Sequence, residues 1–586
     1  MASFSSAPPS DHLACHLAKL STELILQIID FVSPASHLDF ACTCKQIATC
    51  CSGALQRHKD AYEKYNTASD LDPATVPTLL RSALSLDDPI PAWHVRSFEL
   101  WHDRRSWNEW KTLKFEVPLH EDTESEPLSW KFRVGEIGEY LECLDGRLGE
   151  DELEAAHDQI ESGCDGILKM LLFENCPRLR DLKTVDRLRD EFSFLEWFKK
   201  LTSRRIGEED LPLKLTGLQN AAIAIPSGTW MDTYIDVPST HVFVCLLRLP
   251  NIETIYFKDL RHTLSWGGGD VDYTFYLPAG CSSAKHIFLD NCDGDHFPYT
   301  LKDSLPKAFR GLITMAFRSG DAHLEHADDL VRCFAHNQSS TLQSLMFYDY
   351  GCDNRDTIHG YRCSAFRPEE LERFRGLRQV SIDVQDMELD ALYNAKNLLE
   401  KREIEYDPGE YDYAPGKDMY VKFFAQTFPV SMQVLVLWER PGTGHVHLGD
   451  DVLAATEDAV IHLIECGRYP NLKAIFLEEI EHNADQGPRT KTVYFRRAIE
   501  VGKDHGVDVH TLTNRNEMRH KTRFPEAPAD KYSLISGPHK GVRPDVDWRF
   551  DPYIGRRVPL GCGKCGECEG CLAQYSKELW KSIEGL

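Results

Sequence analysis

Cys562, Cys565, Cys568 and Cys571 recur every third residue in GCGKCGECEGC near the C-terminus. Four thiolates satisfy the ligand count of a tetrahedral zinc ion, and Gly561, Gly563, Gly566 and Gly570 permit the tight turns that such a site needs. Structural zinc sites usually draw their ligands from two separated knuckles, and iron–sulfur clusters follow other close spacings. Zinc, an iron–sulfur cluster and free or redox-responsive thiols therefore stand as three readings; the pattern requires no cofactor, and structural zinc suits it better than an iron–sulfur cluster does. His445 and His447 ahead of Asp450 and Asp451 offer ligand types too, but a Gly/Pro-rich loop before a helix explains them equally well. The run Trp266-Gly267-Gly268-Gly269-Asp270 lacks the Lys-Ser/Thr that completes a phosphate loop, and reads as a turn. With no nucleophile elbow and no zinc-protease motif, the residues support no enzymatic active site.

The elements that would carry such chemistry belong to a chain of 586 residues, 42% hydrophobic and 27% charged, with a formal net charge of −26. That length suggests more than one domain. The acidity disfavours general binding to nucleic acid or anionic membranes. No apolar run approaches the ~20 residues that span a bilayer, and residues 1–16 have no secretory pattern. The nineteen cysteines then read as reduced thiols of a cytoplasmic or nuclear protein. A Trp-rich run from Trp93 to Trp110 has no basic stripe beside it, so its rings are expected in core and capping roles.

Near the N-terminus, Leu20, Leu24, Ile28 and Phe31 recur at helical spacing, with Ile25, Ile29 and Val32 widening the apolar stripe. Ser21 or Thr22 can cap the first turn, Glu23 suits the positive end of the helix dipole, and Ser33-Pro34 ends the helix. A second helix carries Leu38, Ala41, Cys42 and Lys45. Two short helices cannot bury this much apolar surface alone, so a partner surface is implied. Leu20-Ser21-Thr22-Glu23-Leu24, then Ile28, Val32, Leu38 and Thr43-Cys44-Lys45, resemble an F-box. Members of that family commonly carry Pro where Ser21 stands and Val where Thr43 stands. An ordinary helical hairpin packed on its own domain is the competing reading.

Further along, the pattern apolar-x-x-apolar-x-apolar returns at Val95/Phe98/Leu100, Ile252/Ile255/Phe257, Ala284/Ile287/Leu289 and Leu312/Met315/Phe317. It returns again at Leu342/Leu345/Phe347, Leu377/Val380/Ile382, Met432/Leu435/Leu437 and Leu472/Ile475/Leu477, with a weaker copy at Leu179/Leu182/Thr184. From Ile252 to Leu377 the starts are 32, 28, 30 and 35 residues apart, which suits one strand and one returning helix per unit. This resembles an irregular leucine-rich repeat array; a non-repetitive α/β domain is the alternative. The expected class is thus α/β: all-α F-box helices, then an irregular leucine-rich-repeat-like solenoid with a parallel sheet, then an irregular tail. The boundaries read as a disordered 1–16, an F-box over 17–57, a helical linker over 58–90, repeats over 91–515, and an extended 516–586 ending in the cysteine cluster and a terminal helix.

Strand alternation places Tyr256, Lys258, Phe288, Arg318, Met346, Tyr348, Trp438 and Phe476 on an exposed concave face, where aromatics, Met and a few charges would bind a protein partner. The resemblance implies a non-catalytic substrate-recognition subunit of an SCF-type ubiquitin ligase, acting in ubiquitin-dependent protein degradation. Its box would bind the small adaptor subunit, and through it a cullin scaffold, using Leu20, Ser21, Leu24, Ile28, Leu38, Cys44 and Lys45. The repeats would hold a protein substrate. Two alternatives remain: a repeat scaffold that recruits no ligase, and a metal-binding or redox protein built on the C-terminal cysteines.

Overall fold

A computed structural model describes residues 19–84, 88–112, 126–128, 130–144, 146–185, 192–203, 215–225, 240–258, 260, 277–292, 299–319, 327–348, 368–383, 417–438, 450–478, 482–483, 487–488, 495–512, 548–551 and 556–559. Among them no helix is long and apolar enough to cross a membrane. The chain is mixed α/β and clusters into two units, Met1–Thr184 with Asp190–Leu218, and Val185–Arg189 with Gln219–Leu586.

The first unit opens with α1 (Thr22–Phe31), α2 (His37–Ala41), α3 (Lys45–Cys50) and α4 (Ser52–Tyr65). Ser21 caps α1 by accepting from the Leu24 N–H at 3.5 Å, and Pro34 starts the short 3-10 turn that leads into α2. Ile25, Ile29, Ala41, Ile47, Cys51 and Ala54 form the core of this bundle, with Leu20, Phe40, Cys44, Cys50 and Leu55 packed against it. Strands β1 (Thr67–Ser69), β2 (Ser97–Leu100) and β3 (Asp181–Val185) follow, paired in parallel with Ala68, Phe98 and Leu182 in one row. Between them run α5 (Thr75–Leu84), α6 (Ile90–His94), α7 (Glu136–Glu142), α8 (Glu150–Ser162) and α9 (Gly166–Asn175), and α10 (Phe194–Ser203) follows β3. A Cβ on Gly166 would lie 2.0 Å from the Phe192 carbonyl oxygen, so only glycine lets α9 start there.

A buried ionic network ties the ends of β1 and β2 to α9. Lys169 reaches Asp70 at 2.9 Å, Asp165 at 3.0 Å and Asp103 at 3.2 Å, and donates to the His102 carbonyl. Arg104, also buried, binds Asp165 at 3.1 Å and the Asp70 carbonyl at 2.8 Å. Charges this far from water survive only when their donors and acceptors are matched, and these are. Trp101 and Trp110 are buried, and Trp110 and Trp107 donate to the Gly163 and Glu161 carbonyls at the end of α8, which are core and capping roles.

In the second unit β4 (Asn220–Ile225), β5 (Thr254–Lys258), β6 (His286–Cys292), β7 (Thr314–Ser319), β8 (Ser344–Tyr348), β9 (Gln379–Asp383), β10 (Val434–Trp438) and β11 (Ala474–Glu478) pair in sequence order, every pair parallel. Two-residue β12 (His482–Asn483) and β13 (Gly487–Pro488) form a small antiparallel pair, β14 (Asp508–Leu512) adds in parallel to β11, and β15 (Trp548–Asp551) pairs antiparallel with β16 (Arg556–Pro559). The returning helices are α11 (Thr240–Leu247), α12 (Tyr299–Ala308), α13 (Ala327–Asn337), α14 (Pro368–Leu371), α15 (Lys417–Thr427), α16 (Asp450–Glu465) and α17 (Arg496–His505). From α12 to α17 each helix packs on the next.

One bracket recurs at the strand entries. The carbonyl one residue before a strand accepts both the matching N–H and the next one from the following unit, as Lys285 does from Ile313 and Thr314, and Gln343 from Arg378 and Gln379. Gln338, buried between the segments that lead into β7 and β8, is satisfied at both ends. Its Oε1 accepts from the Leu312 N–H and the Thr341 hydroxyl, and its Nε2 donates to the Pro306 and Phe309 carbonyls, all at 2.8–3.1 Å. Every copy of the six-residue pattern leads into a strand, with its first anchor two residues before the strand and the other two on it, and its anchors are buried wherever their side chains are described. The same spacing recurs at Leu218/Ala221/Ile223, where it leads into β4.

Candidate functional site

Helix α1 carries two apolar stripes, and the fold chooses between them. Ile25 and Ile29 enter the core, whereas Leu24 is 48% exposed, Phe31 91% and Leu38 on α2 61%. Leu26 is exposed as well. Phe31, expected beside the buried positions, is therefore part of the outer face. Of the expected adaptor contacts, Ser21, Leu24, Leu38 and Lys45 are exposed, Ile28 is half-buried, and Leu20 and Cys44 pack against the core.

The two positions that differ from the F-box pattern the sequence resembles, Ser21 and Thr43, have local explanations. Ser21 sits at φ −67°, the angle a proline ring enforces, so the backbone of the usual Pro is kept and a capping hydroxyl is added. Thr43 donates its hydroxyl to the Phe40 carbonyl at 2.7 Å, closing the turn between α2 and α3. Gln46 Nε2 donates to the Leu20 carbonyl at 3.2 Å, which fixes the start of α1 against α3. Cys42, Cys44, Cys50 and Cys51 are free thiols, and burial pushes the Cys51 thiol up.

The strand face needs a correction. Tyr256 is 1% exposed, Met346 2%, and Phe288 is buried too, so none of the three belongs to an open recognition surface. They stand in one row across the parallel register, Ala222–Tyr256–Phe288–Ala316–Met346, and residues on the other face, such as Ile255 and Ile287, are equally buried. A parallel sheet covered on both faces buries near-continuous apolar strands, and alternation then no longer separates inside from outside. Lys258 is half-buried and opposite Asp290. The side chains of Arg318, Tyr348, Trp438 and Phe476 lie outside the described residues. Their backbone register sets Arg318 opposite Tyr348, and Trp438 between Asp383 and Glu478.

The upstream row of the same face is polar. His286 Nδ1 lies 3.1 Å from the Thr314 hydroxyl, and burial, with Lys285 nearby, lowers the His286 pKa. The Ser344 hydroxyl donates to Gln379 Oε1 at 3.1 Å. Cys562, Cys565, Cys568 and Cys571 lie outside the described residues. Among the described residues His157, Asp158 and Glu161 bring their ligand atoms within 4.8 Å of one another on the surface of α8, an arrangement that neighbours one turn apart reach without an ion. No family model matches the chain, and no curated protein matches it.

Proposed function

We propose that this chain is the substrate-recognition subunit of an SCF-type ubiquitin ligase, with its N-terminal helices as an F-box and its strand-and-helix body as an irregular leucine-rich-repeat-like solenoid. The observation that carries the reading is the outer face of α1 and α2. Leu24, Phe31 and Leu38 stand in water above a bundle that has already filled its core with Ile25, Ile29, Ala41 and Ile47. Apolar side chains left outside a completed core suit a protein-binding surface, and here they fall on or beside the positions through which an F-box grips its adaptor.

The strictly sequential parallel strands support the repeat reading, since each unit buries one sheet edge and one helix face against its neighbours. Substrate capture then belongs to the strand ends at Lys258, Arg318, Tyr348 and Trp438, not to the buried Tyr256, Phe288 and Met346. Catalysis comes from the partners: the adaptor, the cullin scaffold and the ubiquitin-loading enzyme. This chain contributes proximity and orientation. A pull-down with purified adaptor tests the reading: wild type is retained and Leu24→Asp is not. Failure of correctly folded wild type to bind would leave a repeat scaffold that recruits no ligase.

A further inference from the structure

Three histidines from three helices of the first unit form one hydrogen-bonded chain. His37 on α2 places Nε2 2.8 Å from the Val32 carbonyl, at the end of α1, and Nδ1 2.8 Å from His58 Nε2 on α4. His58 Nδ1 lies 2.7 Å from His94 Nε2 on α6. The rings meet edge to face, with centroids 5.0 Å apart at both junctions. Helix α4 packs against α2 and α6, and α6 also touches the Pro34–Ser36 turn, so the chain crosses the seam between the N-terminal helices and the rest of the unit.

The direction of the chain follows from its first member. A carbonyl only accepts, so His37 Nε2 carries the hydrogen, and a neutral His37 must accept at Nδ1. His58 then donates from Nε2 and accepts at Nδ1 from His94 Nε2. That leaves the lone pair of His94 Nδ1, which is buried and has no partner among the described residues. The chain is complete only with three neutral rings. If one more proton enters and both ring-to-ring bonds are kept, a hydrogen ends on His94 Nδ1, where no described residue offers an acceptor. Otherwise one donor meets another at a junction.

The charged surroundings also resist that proton. Arg57 on α4, Arg96 after α6 and Arg178 before β3 bear on the chain, and burial is the largest influence in lowering the pKa of both His58 and His94. Asp30 on α1 and Asp88 before α6 lie 4.0 and 3.9 Å from Arg57, Tyr62 on α4 has its ring 5.9 Å from His94, and Asp39 on α2 is exposed.

We propose that His37, His58 and His94 are an acid-release latch, which holds the N-terminal helices on α4 and α6 while all three rings are neutral and frees them when the chain takes up a proton. The latch stands on this geometry alone and does not depend on what the N-terminal helices bind. His58 is held at a pKa of about 4 against an ordinary 6.5. A histidine depressed in the closed form contributes its stability in full above about pH 6.5, and that contribution is lost as pH falls from there toward 4.

Amide hydrogen exchange of the full chain at pH 7.5 and 5.0, corrected for intrinsic rates and read at α1 with α9 as the internal reference, tests it. In wild type, opening of α1 should rise on the order of tenfold at the lower pH, while α9 stays unchanged. His58→Gln can donate to His37 and accept from His94 but cannot itself titrate, so its α1 should lose much less protection at pH 5.0 than that of wild type. His58→Leu lacks both bonds and should leave α1 exchanging fast at both. Equal wild-type protection at the two values overturns the latch, as does an undiminished acid response in His58→Gln or full protection in His58→Leu.

Discussion

Glu136 shows how much one buried carboxylate can hold. Burial alone would raise its pKa, but Arg81 at 2.5 and 2.8 Å, the Tyr140 hydroxyl and the Arg133 N–H at 2.7 Å keep it at about 2. A carboxylate depressed in the fold stabilises fully above about pH 4.5, and that stability is lost as pH falls toward 2. Glu136→Gln should therefore cost about 2 kcal/mol at pH 7, with the difference from wild type shrinking below pH 4.5 in denaturant titrations. None of this is legible in sequence, since Arg81 and Glu136 lie 55 residues apart. The histidine chain is hidden for the same reason, with links of 21 and 36 residues. Leu24 and Ile25 differ in another way: both sit on apolar stripes of one helix, and only the packing of α3 and α4 decides which stripe is covered. Tyr256, Phe288 and Met346 misled because alternation says which face a side chain takes, not whether that face is open.

At the level of elements, the six-residue pattern located strands well because its three anchors are the contacts each unit needs. It has no copy at β1, a three-residue strand whose one buried side chain is Ala68, and its copy at β4 is weakened by Ala221 and Ala222. It missed β14 too, where Val509 alternates with Asp508 and His510. The joints between units rest on side chains no hydropathy pattern reports. Gln338 satisfies four backbone and hydroxyl groups, so Gln338→Ala should leave buried partners unpaired and cost about 2–4 kcal/mol in urea unfolding. Gly376 marks another close approach, since a Cβ there would lie 2.6 Å from the Ser340 carbonyl oxygen. Helix α1 makes the opposite case, for tolerance. Because Ser21 already holds φ −67°, Ser21→Pro should shift the thermal midpoint little, corresponding to less than about 1 kcal/mol.

For the molecule as a whole, we propose two tasks for two regions of an acidic chain: docking for the outer face of the N-terminal helices, and target capture for the ends of a long run of parallel strands. Motif and periodicity suggest these two regions in the sequence, and the net charge of −26 disfavours general binding to nucleic acid or anionic membranes. Which side chains of the strand face are open was beyond sequence, because it depends on what covers a sheet from both sides. Docking is the claim on which the rest hangs, and calorimetric titration of purified adaptor into the full chain measures it most directly. The expected result is saturation at one adaptor per chain with a dissociation constant below about 1 µM, a negative heat-capacity change, and a loss of at least about thirtyfold in Leu24→Asp and in Leu38→Asp. No binding by folded wild type at tens of micromolar adaptor, or undiminished binding by both variants, would contradict it.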